Sequence, residues 1–144
     1  MATPAERSSD GLATALAAAL ERAPVPLVSA YLFGSQAEGR AHRESDVDVG
    51  ILLQRYAGAR ARFDARVELT SFLMGELHRN DVDVVVLNDA PPHLARRIVT
   101  GGQRIVRNDE AADHAFVRDV QLRAADLEPF LLRARRTKLA AIRR

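Results

Sequence analysis

The sequence predicts an α/β (α+β) domain, a small mixed β-sheet with helices packed on it. Three observations carry the prediction. Short β-prone runs, LVSAYLF at 27–33, DVDVGILL at 46–53 and DVDVVVL at 81–87, are too brief for helices and rich in branched residues. Longer stretches with helical spacing separate or flank them, and that alternation is the mark of helices layered on a sheet. The chain has 144 residues, 47% hydrophobic and 28% charged, the size and balance of one globular domain with its own core.

Each element has a local cause. In SSDGLATALAAALERA, Ser8, Ser9 or Asp10 offers a helix cap, and Leu12, Leu16 and Leu20 form an apolar stripe at i, i+4, i+8. Pro24 and Pro26 end that helix. The first strand, 27–33, stops at Gly34; residues 35–39 suit one helical turn, and 40–45 read as a polar loop. After the second strand, residues 57–79 have helical spacing, with Phe63, Val67, Phe72 and Leu73 among the apolar positions; these phenylalanines and Met74 are assigned to the core. The third strand runs into the turn Asn88-Asp89-Ala90-Pro91-Pro92. Pro92 opens a helix over HLARRIVT that Gly101-Gly102 terminates, and a short fourth strand is expected from Arg104 to Arg107. A long helix then runs from Asp109 or Glu110 to about Ile142, with a break expected at Pro129. The expected organisation is one domain over 1–144, with its core at about 10–107 and a helical segment at 109–142.

Composition excludes several functions. There is no cysteine, hence no disulfide framework and no thiolate metal site. The opening MATPAERSSDG lacks the layout of a signal peptide, and no apolar run is long enough to span a membrane, so the expected location is the cytoplasm. Net charge is +2, but basic residues crowd the last dozen positions, from Arg133 to Arg144. That run reads first as the solvated end of a helix and second as a phosphate-binding tail; a nucleic-acid partner is not expected. His42, His78, His93 and His114 are scattered without metal-ligand spacing, and no serine has a hydrolase context.

The acids inside the strands are the unusual feature. Residues two apart on a strand share a face, so Asp46 and Asp48 point one way while Val47 and Val49 point to the core. Asp81 and Asp83 repeat the pattern on the third strand. If the two strands are neighbours, at least three carboxylates converge on one patch. Such a cluster repels itself unless cations sit within it. Mg2+ suits oxygen ligands of this kind together with substrate phosphates, and two ions can clamp an in-line phosphoryl displacement. Gly34 and Ser35 precede the cluster. Glycine permits close backbone approach, and a helix beginning at Ser35 would offer N–H groups and a hydroxyl to phosphates. A phosphate cradle beside a metal cluster is what nucleotidyl transfer requires.

The stretch GSQAEGRAHRESDVD, a Gly-Ser pair followed after ten residues by D-x-D, resembles the signature of the DNA polymerase β-like nucleotidyltransferase superfamily. The short length and the later VDVVVLNDAPPHLARRIVTGGQRIV are similar to the minimal nucleotidyltransferases (MNT), many of which are antitoxins paired with HEPN-domain ribonuclease toxins. The resemblance covers about residues 10–107. It implies the polymerase β-like fold, Gly34 and Ser35 on the nucleotide phosphates, and Asp46 and Asp48 holding two Mg2+ ions. It also implies Asp83, rather than Asp81, as third carboxylate and helper in deprotonating the acceptor. Gln36 and Glu38 stand where family members often carry arginine. The expected activity is transfer of AMP from ATP to a hydroxyl, a tyrosine's in related antitoxins, of a HEPN toxin, with an assembly of the two proteins. The alternatives are an antitoxin that binds its toxin without chemistry, and transfer to a small molecule or an RNA end.

Overall fold

The computed structural model describes residues 4–34 and 46–143. Helix α1 (Pro4–Glu21) is followed by strands β1 (Ser29–Phe33) and β2 (Val47–Leu52), helix α2 (Ala59–Leu77) and strand β3 (Val82–Val86). A single 3-10 turn at Leu87–Asp89 leads to α3 (Pro92–Gly101), β4 (Gln103–Arg107) and α4 (Glu110–Arg143). The strands form one sheet in the order β3-β2-β1-β4. β1 is antiparallel to both β2 and β4, and β2 is parallel to β3. The sheet is therefore mixed, as expected, and β3 lies at an edge.

Strand alternation divides the core into two layers. On one face Ala30, Leu32, Val47, Val49, Ile51, Val82, Val84 and Val86 pack against α1 and α2 through Leu16, Leu20, Leu69 and Leu73. On the other, Tyr31 and Leu52 meet Leu87 and Ile98 under α3 and α4. Gly50 sits on this second face, where a Cβ would come within 2.9 Å of Ile98 Cγ2; its lack of a side chain lets α3 settle onto β2. Asn88 splints the parallel pair beyond its last rung. Its side-chain oxygen accepts from Leu53 N at 2.9 Å, and its amide donates to Leu53 O at 3.0 Å.

Three expectations require correction. α1 begins at Pro4, not at Ser8–Asp10; proline is favoured in a first helical turn. Pro129 does not break α4. The carbonyl that loses its donor belongs to Ala125, which is exposed and free to use water. Phe63 is not a core residue: it is 60% exposed, its apolar neighbour Val67 is 53% exposed, and α2 buries Ala65, Leu69 and Leu73 instead. Helical spacing finds an apolar stripe but not the direction it faces. The helix end, too, was unmarked in the sequence: His78 closes α2 in the left-handed conformation, at φ 52°.

Candidate active site

The parallel register sets Asp48 directly opposite Asp83, on the face away from Val47, Val49, Val82 and Val84. Strand neighbours lie about 4.8 Å apart, so two carboxylates stand side by side on a surface otherwise made for apolar packing. Asp83 is exposed and Asp48 half-buried. Burial raises the Asp48 pKa above the ordinary aspartate value, and the charges of Asp83 and then Asp46 raise it further. Asp46 immediately precedes β2 and is exposed.

Gly34 closes on the same carboxylate. It has φ +75°, a left-handed conformation that glycine adopts at no steric cost, and a Cβ there would collide with Asp48 Oδ2. The antiparallel register explains the proximity, since Phe33 lies opposite Asp48 and Gly34 follows it. The end of β1 therefore presses bare backbone against the acid. Ser35, the helical turn expected at 35–39, the loop at 40–45, and with them Gln36, Glu38 and His42, lie outside the described residues.

Asp81 is occupied elsewhere. Arg79 grips it with Nε to Oδ1 at 2.8 Å and Nη2 to Oδ2 at 2.7 Å, which lowers the Asp81 pKa. The same guanidinium feels the charge of Asp46. Of Asp81, just before β3, and Asp83, within it, the one left facing Asp48 is Asp83.

The expectation that three carboxylates converge needs qualification. Among the described residues, no group of three Asp, Glu or His side chains is arranged to hold a metal ion. Asp46 lies before the strand, where the pleat does not fix its side chain, and three like charges have no reason to close up unaided. Mg2+ does not require a triple cage, since it commonly takes one or two carboxylates and completes its shell with water and phosphate. The Asp48–Asp83 pair, all oxygen and mutually repulsive, fits such an ion.

Beyond Asp83, at the open edge of the sheet, a cavity of about 280 Å3 is bounded by Arg62, Phe63 and Arg66 of α2 and by Pro91 and Leu94 at the start of α3. Arg62 is tied to Asp89 by Nε contacts of 2.8 and 3.0 Å, which hold α2 against the 3-10 turn. His93 and Arg97 are exposed on α3.

Comparison with known proteins places the chain. Residues 16–111 match the family described as polymerase beta, nucleotidyltransferase, a span that contains β1, β2, β3 and both aspartates of the pair. The chain belongs to that family. The protein adenylyltransferase MntA of Shewanella oneidensis is 36% identical to this nucleotidyltransferase over 75 residues, 52% of the chain. The match spans half the length of that curated relative. Among solved structures, a toxin–antitoxin with AMP-PNP superposes with a TM-score of 0.63 at 24% identity, covering 92% of this chain and 98% of that one. A complex of tri-AMPylated Shewanella oneidensis HEPN toxin with MNT antitoxin gives a TM-score of 0.58 at 20% identity, covering 94% and 99%. These likenesses establish the fold. Among the described residues no helix is long and apolar enough to cross a membrane.

Proposed function

We propose that this nucleotidyltransferase transfers AMP from ATP to a hydroxyl, a tyrosine's, on a partner HEPN-domain ribonuclease toxin, and thereby acts as its antitoxin in the cytoplasm. The observation that carries the reading is the in-register Asp48–Asp83 pair with the backbone of Gly34 laid against Asp48. The names of the relatives, an adenylyltransferase and an antitoxin complexed with an AMPylated HEPN toxin, support the substrate and the partner.

The residues divide the work by position. Gly34 and Ser35 hold the β- and γ-phosphates with backbone N–H groups and a hydroxyl. Asp48, with Asp46 and Asp83, would hold two Mg2+ ions, and these would supply stabilisation of the charge that develops on the phosphates. Asp83, at the sheet edge, takes the proton of the acceptor hydroxyl. The acceptor oxygen bonds to the α-phosphorus, the bond from that phosphorus to the α,β-bridging oxygen breaks, and pyrophosphate leaves with its electron pair. Gly34 must stay side-chain-free because a Cβ would fill the space between phosphate cradle and acid.

Incubation with α-labelled ATP, Mg2+ and the purified product of the adjacent gene should label that product, and replacing Asp46, Asp48 and Asp83 together by Asn should abolish labelling. Absence of label with the parent chain, in the presence of demonstrated nucleotide binding, would sink this reading. A second reading rests on Gln36 and Glu38, which stand where family members often carry arginine: an antitoxin that binds its toxin stoichiometrically. Toxin neutralisation that persists in the triple variant would select it.

A further inference from the structure

α2 carries two apolar stripes where a surface helix needs one. Ala65, Leu69 and Leu73 face the sheet and are buried. Phe63, Val67 and Met74 follow one another at i, i+4 and i+11 along a different face, where Phe63 and Val67 expose more than half their surface. Single exposed apolar residues are ordinary, but these line two adjoining hollows. The cavity beside Asp83 is bounded by Phe63 and Arg66, and the same two residues begin a second hollow of about 390 Å3 that extends over Val67, Thr70, Ser71 and Met74. From Phe63 to Met74 the groove runs about 16 Å, at 1.5 Å per residue. One of its ends is a candidate catalytic carboxylate.

We infer that this groove on the outer face of α2 is the docking rail for the polypeptide that bears the acceptor hydroxyl, which it lays along the helix so that the hydroxyl arrives at Asp83. The inference rests on the function proposed above and specifies its acceptor side. Three observations select a polypeptide. Gly34 lies at the end of β1, the metal acids on β2 and β3, and the cavity beyond β3; donor, reaction centre and groove thus follow one another across the sheet, and the acceptor enters opposite the phosphates. A small acceptor would fill the cavity at Asp83 and leave the apolar run past Val67 without use. The charge at the rim also has a sign. Arg60 and Arg62 are paired with Asp64 and Asp89, whereas the Arg66 guanidinium, on the wall common to both hollows, has no ion-pair partner among the described residues. The occupant is therefore an apolar segment with an acidic residue near its acceptor hydroxyl.

The test uses the full chain and the product of the adjacent gene, the candidate HEPN protein, with variants Phe63→Ala/Val67→Ala, Val67→Glu and Arg66→Glu. Affinity for the HEPN protein is read by calorimetry, and AMP transfer is resolved into KM and kcat. Each variant should weaken binding at least tenfold and raise the protein-substrate KM equally, with kcat, AMP-PNP affinity and Tm close to the parent's. Weakened binding in a chain that transfers no AMP would uphold the rail and remove the catalytic reading. Transfer with unchanged KM and affinity in all three variants would remove the rail and leave catalysis standing. Failure of the parent chain to bind the HEPN protein overturns the inference, as does transfer to a free phenol as efficient as to the protein.

Discussion

Asp48 and Asp113 are both aspartates held against the same face of the sheet, and the sheet treats them oppositely. Asp113, in the first turn of α4, is only 1% exposed. Tyr31 Oη donates to its Oδ1 at 2.6 Å, and Arg104 Nε lies 3.1 Å from Oδ2. The arginine is off the line for a hydrogen bond, so Oδ2 has an ionic neighbour but no hydrogen-bond donor among the described residues. Arg104 also donates to Tyr31 Oη at 3.2 Å and stacks 5.5 Å from the centre of the ring. Burial, and then the bond to Asp113, raise the Tyr31 pKa and keep the phenol protonated. Asp48 is less buried, yet its neighbours are two more acids and a glycine. One acid is completed by the fold and pins α4 to β1 and β4. The other is left incomplete, as a site for charged ligands must be before they arrive.

The contrast is broken most completely at Asp48. Asp48→Asn should lower AMP transfer about a thousandfold, roughly 4 kcal/mol in the barrier, while raising the ligand-free Tm at neutral pH. The sign follows from the raised pKa. Folding favours the protonated acid, so ionisation of Asp48 costs stability above the folded-state pKa, and the cost is gone below the unfolded one. The Tm advantage of the variant should therefore shrink as pH falls through the carboxylate range, and Mg2+ with AMP-PNP should stabilise the parent more than the variant. A variant less stable than the parent at pH 7 would contradict the account of Asp48 as an uncompensated charge.

At Asp113 the order reverses, and stability suffers instead. Arg104→Ala removes the cation from a buried carboxylate and should cost about 3 kcal/mol, the low end for such pairs because Arg104 is partly in water. Thermal unfolding measures it, and nucleotide affinity should stay put. Tyr31→Phe removes one hydrogen bond to the same acid and should cost about 1–2 kcal/mol. The smallest effect belongs to Asp81→Asn. Its pair with Arg79 is partly exposed and contributes at most about 1 kcal/mol. Because that pair lowers the Asp81 pKa, its contribution is present at neutral pH and lost as pH falls through the folded-state value.

What could be read in advance depended on how local its cause was. DVDVGILL announced a strand with acids on one face, because a period of two survives whatever the strand pairs with. Gly34 stood out as a glycine at a strand end, but its left-handed backbone and its closeness to Asp48 came only with the structure. Asp113 was not, since an acid in a first helical turn looks like ordinary dipole compensation, and its partner Tyr31 is 82 residues away in sequence. Asn88 read as a turn residue, while its side chain replaces a missing rung between strands that only the sheet order makes neighbours. Phe63 was misassigned for a related reason: an apolar stripe is visible in sequence, but whether it meets a sheet or water is decided by the other stripe on the same helix.

The length of α4 has a consequence of its own. At 34 residues it is a rod of about 51 Å, and past Ala124 its described side chains all lie exposed. A compact chain of 144 residues has a radius of gyration near 15 Å. A lone protomer in solution should therefore scatter X-rays as a larger particle than its mass suggests, with a long tail in its distance distribution.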